Sequence, residues 1–86
     1  MNSSADAPRF TILYFAALRE QAGQEQEIHH SLAANPAELY AELAAAHGFT
    51  LPQSRLRAAV NHSFCPWNTA LADQDIVAFI PPIAGG

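Results

Sequence analysis

The 86-residue sequence contains no lysine and only four arginines, against eight acidic residues, so its formal net charge is −4. Nucleic-acid binders displace counterions with a stripe of basic residues, and four scattered arginines cannot form one. Without lysine, no side chain can form an amide with another protein's carboxyl group. The sequence therefore argues against nucleic-acid binding and against isopeptide-linked polymers of the chain itself, except through its α-amino group.

The sequence also lacks the features of a membrane, secreted or metal-binding protein. Its single cysteine, Cys65, excludes an internal disulfide and a Cys-pair metal site, so a reducing cytoplasm is the location we expect. No apolar run approaches the roughly 18 residues of a membrane span, and residues 1–8 show no secretory signal. The adjacent His29 and His30 point to opposite faces of a strand and cannot ligate one metal. We therefore expect neither a metal nor a membrane partner.

Half of the residues are apolar and 14% are charged, which argues against a disordered segment. A chain of this size is expected to bury about 63% of its surface on folding, which is enough for a single core. We divide the sequence into a disordered leader over residues 1–8, one domain over residues 9–80 and an extended C-terminal tail over residues 81–86.

Capping residues and hydrophobic periodicity predict one main helix and about five strands. The main helix begins with Asn35 as N-cap and Pro36 in its first turn, and it ends at Gly48. Residues 9–15 are apolar on both faces and belong inside a sheet, whereas residues 25–30 predict an edge strand. The other segments are a short helix over 16–22, closed by Gly23, and strands over 56–61, 63–65 and 76–80. The result is an α+β fold, a mixed sheet with the main helix across one face.

The last predicted strand has two faces with different roles. Side chains alternate along a strand, so Val77 and Phe79 share one face and Ile80 lies on the other. We expect Val77 and Phe79 to pack in the core against Leu39 and Leu43 of the main helix. Ile80 is expected to be largely exposed beside the tail, where a large aliphatic side chain would anchor a partner.

No group of residues in the body of the chain predicts catalysis. Cys65 lies among apolar residues, which favours a structural thiol over a nucleophile. Asp73 and Asp75 occupy a polar turn, where carboxylates cap the turn and remain solvated. Arg19 and Glu20 lie in the short helix, and we expect structural or rim roles for both, with no part in chemistry.

The tail is the unusual part of the sequence. Pro81 and Pro82 cannot donate the hydrogen bonds of a sheet, so they end the last strand and begin a stiff, extended segment. Six residues of about 3.3 Å each reach up to ~20 Å beyond the sheet, and Gly85 and Gly86 have no Cβ to obstruct a narrow channel. The residues alone leave two interpretations open, a frayed terminus or a carboxylate delivered into another protein's active site.

Three segments taken together resemble the molybdopterin synthase small subunits, sulfur carriers with a ubiquitin-like β-grasp fold. They are Phe15-Ala16-Ala17-Leu18-Arg19-Glu20 with Gly23, Ala58-Ala59-Val60-Asn61, and residues 71–86 with their terminal Gly85-Gly86. The resemblance covers residues 9–86. Two positions depart from the family pattern: Gln74 replaces a glycine in the acidic turn, which leaves the turn type open, and Ala84 replaces serine or threonine.

The resemblance implies chemistry for the tail and none for the body of the chain. Gly86, preceded by Gly85, would be adenylated by an ATP-dependent activating enzyme and converted to a thiocarboxylate. It would then enter the large synthase subunit and donate sulfur to cyclic pyranopterin monophosphate. The chain itself would bind no cofactor and would supply sulfur, without catalytic side chains, in a cytoplasmic heterotetramer. The predicted partner-binding residues are the last residue of the last strand, Ile80, and four residues of the tail: Pro81, Pro82, Ile83 and Ala84.

Other functions remain open at this point. A carrier with the same chemistry could serve another product, such as thiamine or a tungsten cofactor, or act as a ubiquitin-like modifier. A non-enzymatic β-grasp interaction module is the alternative of a different class. A terminal oxygen replaced by sulfur, visible by intact mass, separates carriers from the module, and the co-purifying partners separate the products.

Overall fold

The computed structural model describes residues 7–82 of the chain. Its elements follow one another in the predicted order, with a short 3-10 helix that the sequence analysis missed. They are β1 (Arg9–Tyr14), α1 (Ala16–Ala22), β2 (Gln26–His30), α2 (Pro36–His47), the 3-10 helix (Gln53–Arg55), β3 (Arg57–Val60), β4 (Ser63–Cys65) and β5 (Ile76–Ile80).

Of the leader predicted over residues 1–8, residues 1–6 lie outside the described residues. Ala7 and Pro8 are half-buried, and the Pro8 carbonyl accepts a hydrogen bond of 3.0 Å from the Ser31 N–H. The chain therefore contacts the domain before the first strand begins.

The five strands form one mixed sheet in the order β2-β1-β5-β3-β4. The neighbours β1 and β5 are parallel, and the other three pairs are antiparallel. The weakly apolar β2 lies at an edge, as predicted, and β5 lies at the centre between β1 and β3. The strand that leads into the tail is thus hydrogen-bonded on both sides.

The ends of α2 are fixed by the residues that predicted them. Asn35 Oδ1 accepts the Glu38 N–H at 2.9 Å, and Glu38 Oε1 accepts the Ala34 N–H at 2.9 Å. This reciprocal capping satisfies N–H groups that a helix start leaves unpaired. Gly48 ends the helix in the left-handed conformation, with a φ of 72°.

The core lies between one face of the sheet and α2. Val77 and Phe79 of β5 are fully buried in one cluster with Leu39 and Leu43 of α2, which confirms their predicted role. Burial of each such side chain is worth about 1.5–3 kcal/mol. The same cluster contains alternate residues of β1, namely Phe10, Ile12 and Tyr14.

Asn61 connects the β3–β4 turn to the start of β5. Asn61 and His62 both have positive φ, 52° and 74°, as a two-residue hairpin turn of type I′ requires. The Asn61 side chain accepts the Ile76 N–H at 2.9 Å and donates to Asp75 Oδ1 at 3.0 Å. A single turn residue therefore sets where the central strand begins.

Candidate partner-docking site at the base of the tail

The base of the tail consists of Ile80, Pro81 and Pro82, the last residues that the structure describes. The central strand β5 ends at Ile80 and is followed by Pro81, which is half-buried, and Pro82, which is exposed. Strand pairing on both sides fixes the direction in which the chain leaves the sheet. The other predicted site residues, Ile83, Ala84, Gly85 and Gly86, lie outside the described residues.

The face of the sheet opposite α2 is apolar, with Ala59 and Ala78 buried and Phe15 and Phe64 exposed, and we call it the open face. The register brings Leu13 of β1 and Ala59 of β3 beside Ala78 of β5, with Phe64 of β4 next to Ala59. Phe64 is 55% exposed, and Phe15, directly after β1, is 44% exposed. These side chains surround a shallow depression of about 210 Å³, lined by Leu13, Phe15, Ala59, His62, Phe64, Ile76, Ala78 and Ile80.

Exposed apolar surface of this kind marks an interaction site in many proteins. Here the depression reaches Ile80, the residue immediately before the two prolines. The open face is therefore continuous with the base of the tail.

The prediction that Ile80 is largely exposed is wrong, because Ile80 is half-buried. It lies on the predicted face, but Arg57 of β3 is paired with it across the sheet. Phe64 of β4 also lines the same surface. These neighbours come from strands distant in sequence, and they cover part of the side chain.

A second depression adjoins the tail, and we call it the tail-base groove. It is lined by Ser54, Arg55, Leu56, Arg57, Phe64, Ile80, Pro81 and Pro82. The guanidinium of Arg57 lies 3.8 Å above the centre of the Phe64 ring, within the range of a cation–π interaction. The groove thus combines an apolar floor with basic side chains.

A polar network that the sequence analysis missed joins β1, β2 and α2 on the other face of the sheet. Tyr14 Oη donates to Glu27 Oε1 at 2.5 Å, and His47 Nε2 lies 2.6 Å from the same oxygen. His47 also stacks on Phe49, with ring centres 5.2 Å apart. His47, the last residue of α2, therefore contacts both Glu27 and Phe49.

The environment of this network shifts two pKa values in opposite directions. Burial disfavours the charged form of Glu27, but the hydrogen bonds from Tyr14 and His47 outweigh it and lower the pKa of the carboxyl. Burial, helped by the neighbouring carboxylate, raises the pKa of Tyr14. A second contact between the same strand and helix joins His29 to Glu42 at 3.2 Å. We infer that both contacts stabilise the packing of the edge strand β2 against α2.

The other residues considered for chemistry do not come together. Cys65 is a free, half-buried thiol, and Arg19 and Glu20 are exposed on α1. Asp73 Oδ1 accepts the Arg9 N–H at 2.7 Å, a hydrogen bond that lowers the pKa of its carboxyl. Asp75 Oδ2 accepts the Ala72 N–H at 2.8 Å and caps the turn as predicted, whereas Asp73 connects the turn to the start of β1.

Gln74 occupies the turn position where the family pattern has glycine. Its φ is 74°, the left-handed region that glycine adopts without strain. Gln74 therefore adopts a backbone conformation that glycine reaches without strain.

Two kinds of feature are absent from residues 7–82. Within that range no three His, Cys, Asp or Glu side chains are grouped to hold a metal ion. In the same range no helix is long and apolar enough to cross a membrane.

The sequence of this chain is similar to those of known proteins. The model of the ThiS family matches residues 12–86. The molybdopterin synthase sulfur carrier subunit of Mycobacterium tuberculosis is 32% identical over 81 residues, which cover 91% of this chain and 98% of that protein.

Two solved structures have the same fold. SAMP1 from Haloferax volcanii has a TM-score of 0.72 at 22% identity, covering 91% of this chain and 99% of that chain. A chain in the complex of subunits 1 and 2 of the molybdopterin-converting factor from Helicobacter pylori has a TM-score of 0.64 at 24% identity, covering 91% and 99%. The predicted ubiquitin-like β-grasp is confirmed.

Proposed function

The chain belongs to the ThiS family, and from that premise we propose that it is the sulfur-carrier subunit of a molybdopterin synthase. Gly86 is adenylated, converted to a thiocarboxylate and inserted into the large subunit. There it donates its one sulfur to cyclic pyranopterin monophosphate, and hydrolysis returns Gly86 to the carboxylate. Two such transfers supply the two sulfur atoms of the molybdopterin dithiolene. An ionised α-carboxylate, with a pKa near 3.5, is a poor electrophile, so activation must precede attack by sulfur.

One observation carries the proposal: a sulfur carrier subunit of molybdopterin synthase is 32% identical to this chain over 98% of its own length. The structure supports it in two ways. The central strand β5 leads directly into Pro81 and Pro82, and the open face beside them offers apolar surface to a partner.

The proposed partners are the large synthase subunit and an ATP-dependent activating enzyme, which binds the ATP. The Helicobacter pylori complex of subunits 1 and 2 supports the first of these, because its small chain shares this fold. The chain contributes its terminus and its docking surface to the synthase, and the catalytic side chains come from the partners. The cytoplasmic location and the heterotetramer stay predictions.

A role as a protein modifier is the second candidate, since SAMP1, the small archaeal modifier protein 1 of Haloferax volcanii, shares the fold. Carriers for thiamine or a tungsten cofactor use the same first steps. The step after activation separates them: a modifier forms an amide with a target lysine, whereas a carrier of this pathway loses its sulfur to the pterin precursor.

The test is reconstitution from purified components. The chain is incubated with the activating enzyme, ATP and a sulfur donor, and intact mass reports exchange of one terminal oxygen for sulfur. The product is then mixed with the large subunit and cyclic pyranopterin monophosphate. Molybdopterin formation by the wild-type chain, and none by a chain lacking Gly86, is the expected result. A sulfur-loaded chain that yields no molybdopterin would refute the assignment to this pathway.

A further inference from the structure

The few basic residues of this chain are unevenly placed. Two of its four arginines, Arg55 and Arg57, line the tail-base groove, and both are exposed. Arg55 ends the 3-10 helix, and Arg57 begins β3 opposite Ile80. The groove has a volume of about 590 Å³, which is large enough to receive side chains of another protein.

Neither arginine is neutralised by the described part of the chain. Within residues 7–82 the only side-chain ion pairs join a histidine to a glutamate, so no carboxylate lies within 4.0 Å of either guanidinium. The acidic residues of that range lie on α1, β2, α2 and the connections before β2 and β5: Glu20, Glu25, Glu27, Glu38, Glu42, Asp73 and Asp75. The tail-base groove is the basic region of an acidic protein.

The Arg57 side chain is also held in place. Its guanidinium carbon lies 3.8 Å from the centre of the Phe64 ring. A guanidinium over an aromatic ring keeps its own N–H groups free to donate to a second ligand. Ordering the side chain in advance reduces the entropy lost on binding. The ring, Leu56 and Ile80 supply apolar surface next to this cation.

We propose that the tail-base groove binds an acidic segment of the protein that receives the tail, with a carboxylate on Arg57 and Arg55 and an adjacent apolar side chain against Phe64 and Ile80. This inference deepens the proposed function and rests on it. The overall charge of −4 repels an acidic partner in most orientations. Two cations at the tail therefore favour the one orientation in which the tail points at the partner's active site.

The experiment measures affinity and association rate for the large synthase subunit over a series of salt concentrations. Arg57→Gln and Arg55→Gln each remove one positive charge from the groove. Arg9→Gln removes the same charge at the far end of β1, where Arg9 Nη1 contacts Gln74 Oε1, and serves as the matched control. Arg57→Lys keeps the charge but changes the planar donor geometry.

We expect Arg57→Gln to weaken binding about tenfold, with a slower association rate and a weaker dependence on salt. Arg55→Gln is expected to act in the same direction. Arg9→Gln should bind like wild type, and Arg57→Lys should retain most of the salt dependence. Thermal unfolding of each variant checks that the fold is retained, since both arginines are exposed.

Equal affinity of wild type, Arg57→Gln and Arg55→Gln would refute the groove and leave the proposed function intact. Equal losses at Arg9 and Arg57 would also refute it, because the effect would then be one of net charge. A wild-type chain that binds no large subunit would instead refute the proposed function. Charge-dependent self-association of the isolated chain, measured by sedimentation, would assign the groove to a second copy and overturn the inference.

Discussion

Replacement of Glu27 by glutamine tests whether its contacts with Tyr14 and His47 stabilise the packing of the edge strand β2 against the main helix α2. In the structure Glu27 Oε1 accepts a hydrogen bond of 2.5 Å from Tyr14 Oη, and the same oxygen lies 2.6 Å from His47 Nε2. β2 is paired on one side only, with β1. Its attachment to the domain therefore depends on side chains of this kind more than that of an interior strand does.

The magnitude follows from the number and kind of bonds. A hydrogen bond to a charged group contributes about 1.5–3 kcal/mol, and a neutral one about 1 kcal/mol. Glutamine keeps the shape and one acceptor oxygen, so the charged part of two bonds is lost. Because 20% of the Glu27 side chain is exposed, solvent screens some of the interaction. We expect Glu27→Gln to lower the free energy of unfolding at pH 7 by about 1–3 kcal/mol, a large share of the stability of a small domain.

The effect depends on pH with a defined sign. The pKa of Glu27 is lowered from 4.5 in the folded state, so its contribution is present above about pH 4.5 and is lost as pH falls through the folded value. The difference between wild type and Glu27→Gln should therefore shrink towards acid. The pKa of Tyr14 is raised above 10.0, so the stability contributed by its neutral form is complete below about pH 10 and decreases at higher pH.

The assay is urea unfolding at a series of pH values from 3 to 8, followed by far-ultraviolet circular dichroism. Glu25→Gln is the matched control, because Glu25 is an exposed glutamate immediately before the same strand. Its substitution should change stability by less than about 0.5 kcal/mol. A loss in Glu27→Gln that stays constant from pH 3 to pH 8, or one no larger than that of Glu25→Gln, would refute the reasoning.

Four further predictions concern the turn, the open face, the tail and the single cysteine. Gln74→Gly should raise the free energy of unfolding by about 0.5–1 kcal/mol in urea titrations, since glycine relieves the strain of a left-handed φ of 74° but loses more chain entropy; lower stability would contradict this. Ile80→Thr should weaken binding of the large subunit, measured by calorimetry, while Leu32→Thr, at an 83% exposed position, should not. Deletion of Gly86 should abolish thiocarboxylate formation in the intact-mass assay, because the new terminus falls about 3.3 Å short of the activating site. Thermal unfolding should be unchanged. Cys65→Ser should load sulfur normally in the same assay.

The sequence predicted the elements whose signals are local. Asn35, Pro36 and Gly48 mark the ends of α2 within a few residues of the bonds that they make. The alternation in β5 likewise separates Val77 and Phe79 from Ile80 without any knowledge of the partner strands. Each of these inferences needs only the period of one element and the chemistry of its caps.

The features that escaped prediction depend on contacts between distant residues. The bonds of Glu27 reach Tyr14, 13 residues away, and His47, 20 residues away. Their meeting depends on the register of β1 with β2 and on the position of α2 above them. The partial burial of Ile80 likewise requires its pairing with Arg57. No periodicity in a single element contains this information.

The two faces of the sheet differ in the burial of their side chains. The fully buried side chains and the polar network lie on the side of the sheet that α2 covers. The open face and the tail-base groove lie on the other side or at its end, and they include exposed residues such as Phe15 and Phe64. Substitutions there should therefore alter binding more than folding.

This division suits a chain that works through its terminus. Reaction rates fall on the order of 10²-fold when a reacting group is misplaced by 1 Å, so the strand that carries the tail must not move relative to the docking surface. β5 meets this requirement, because β1 and β3 hold it on both sides while Val77 and Phe79 anchor it to the core. The residues that alternate with them lie on the open face, where we propose that the partner binds. One strand thereby connects the core to the proposed docking surface.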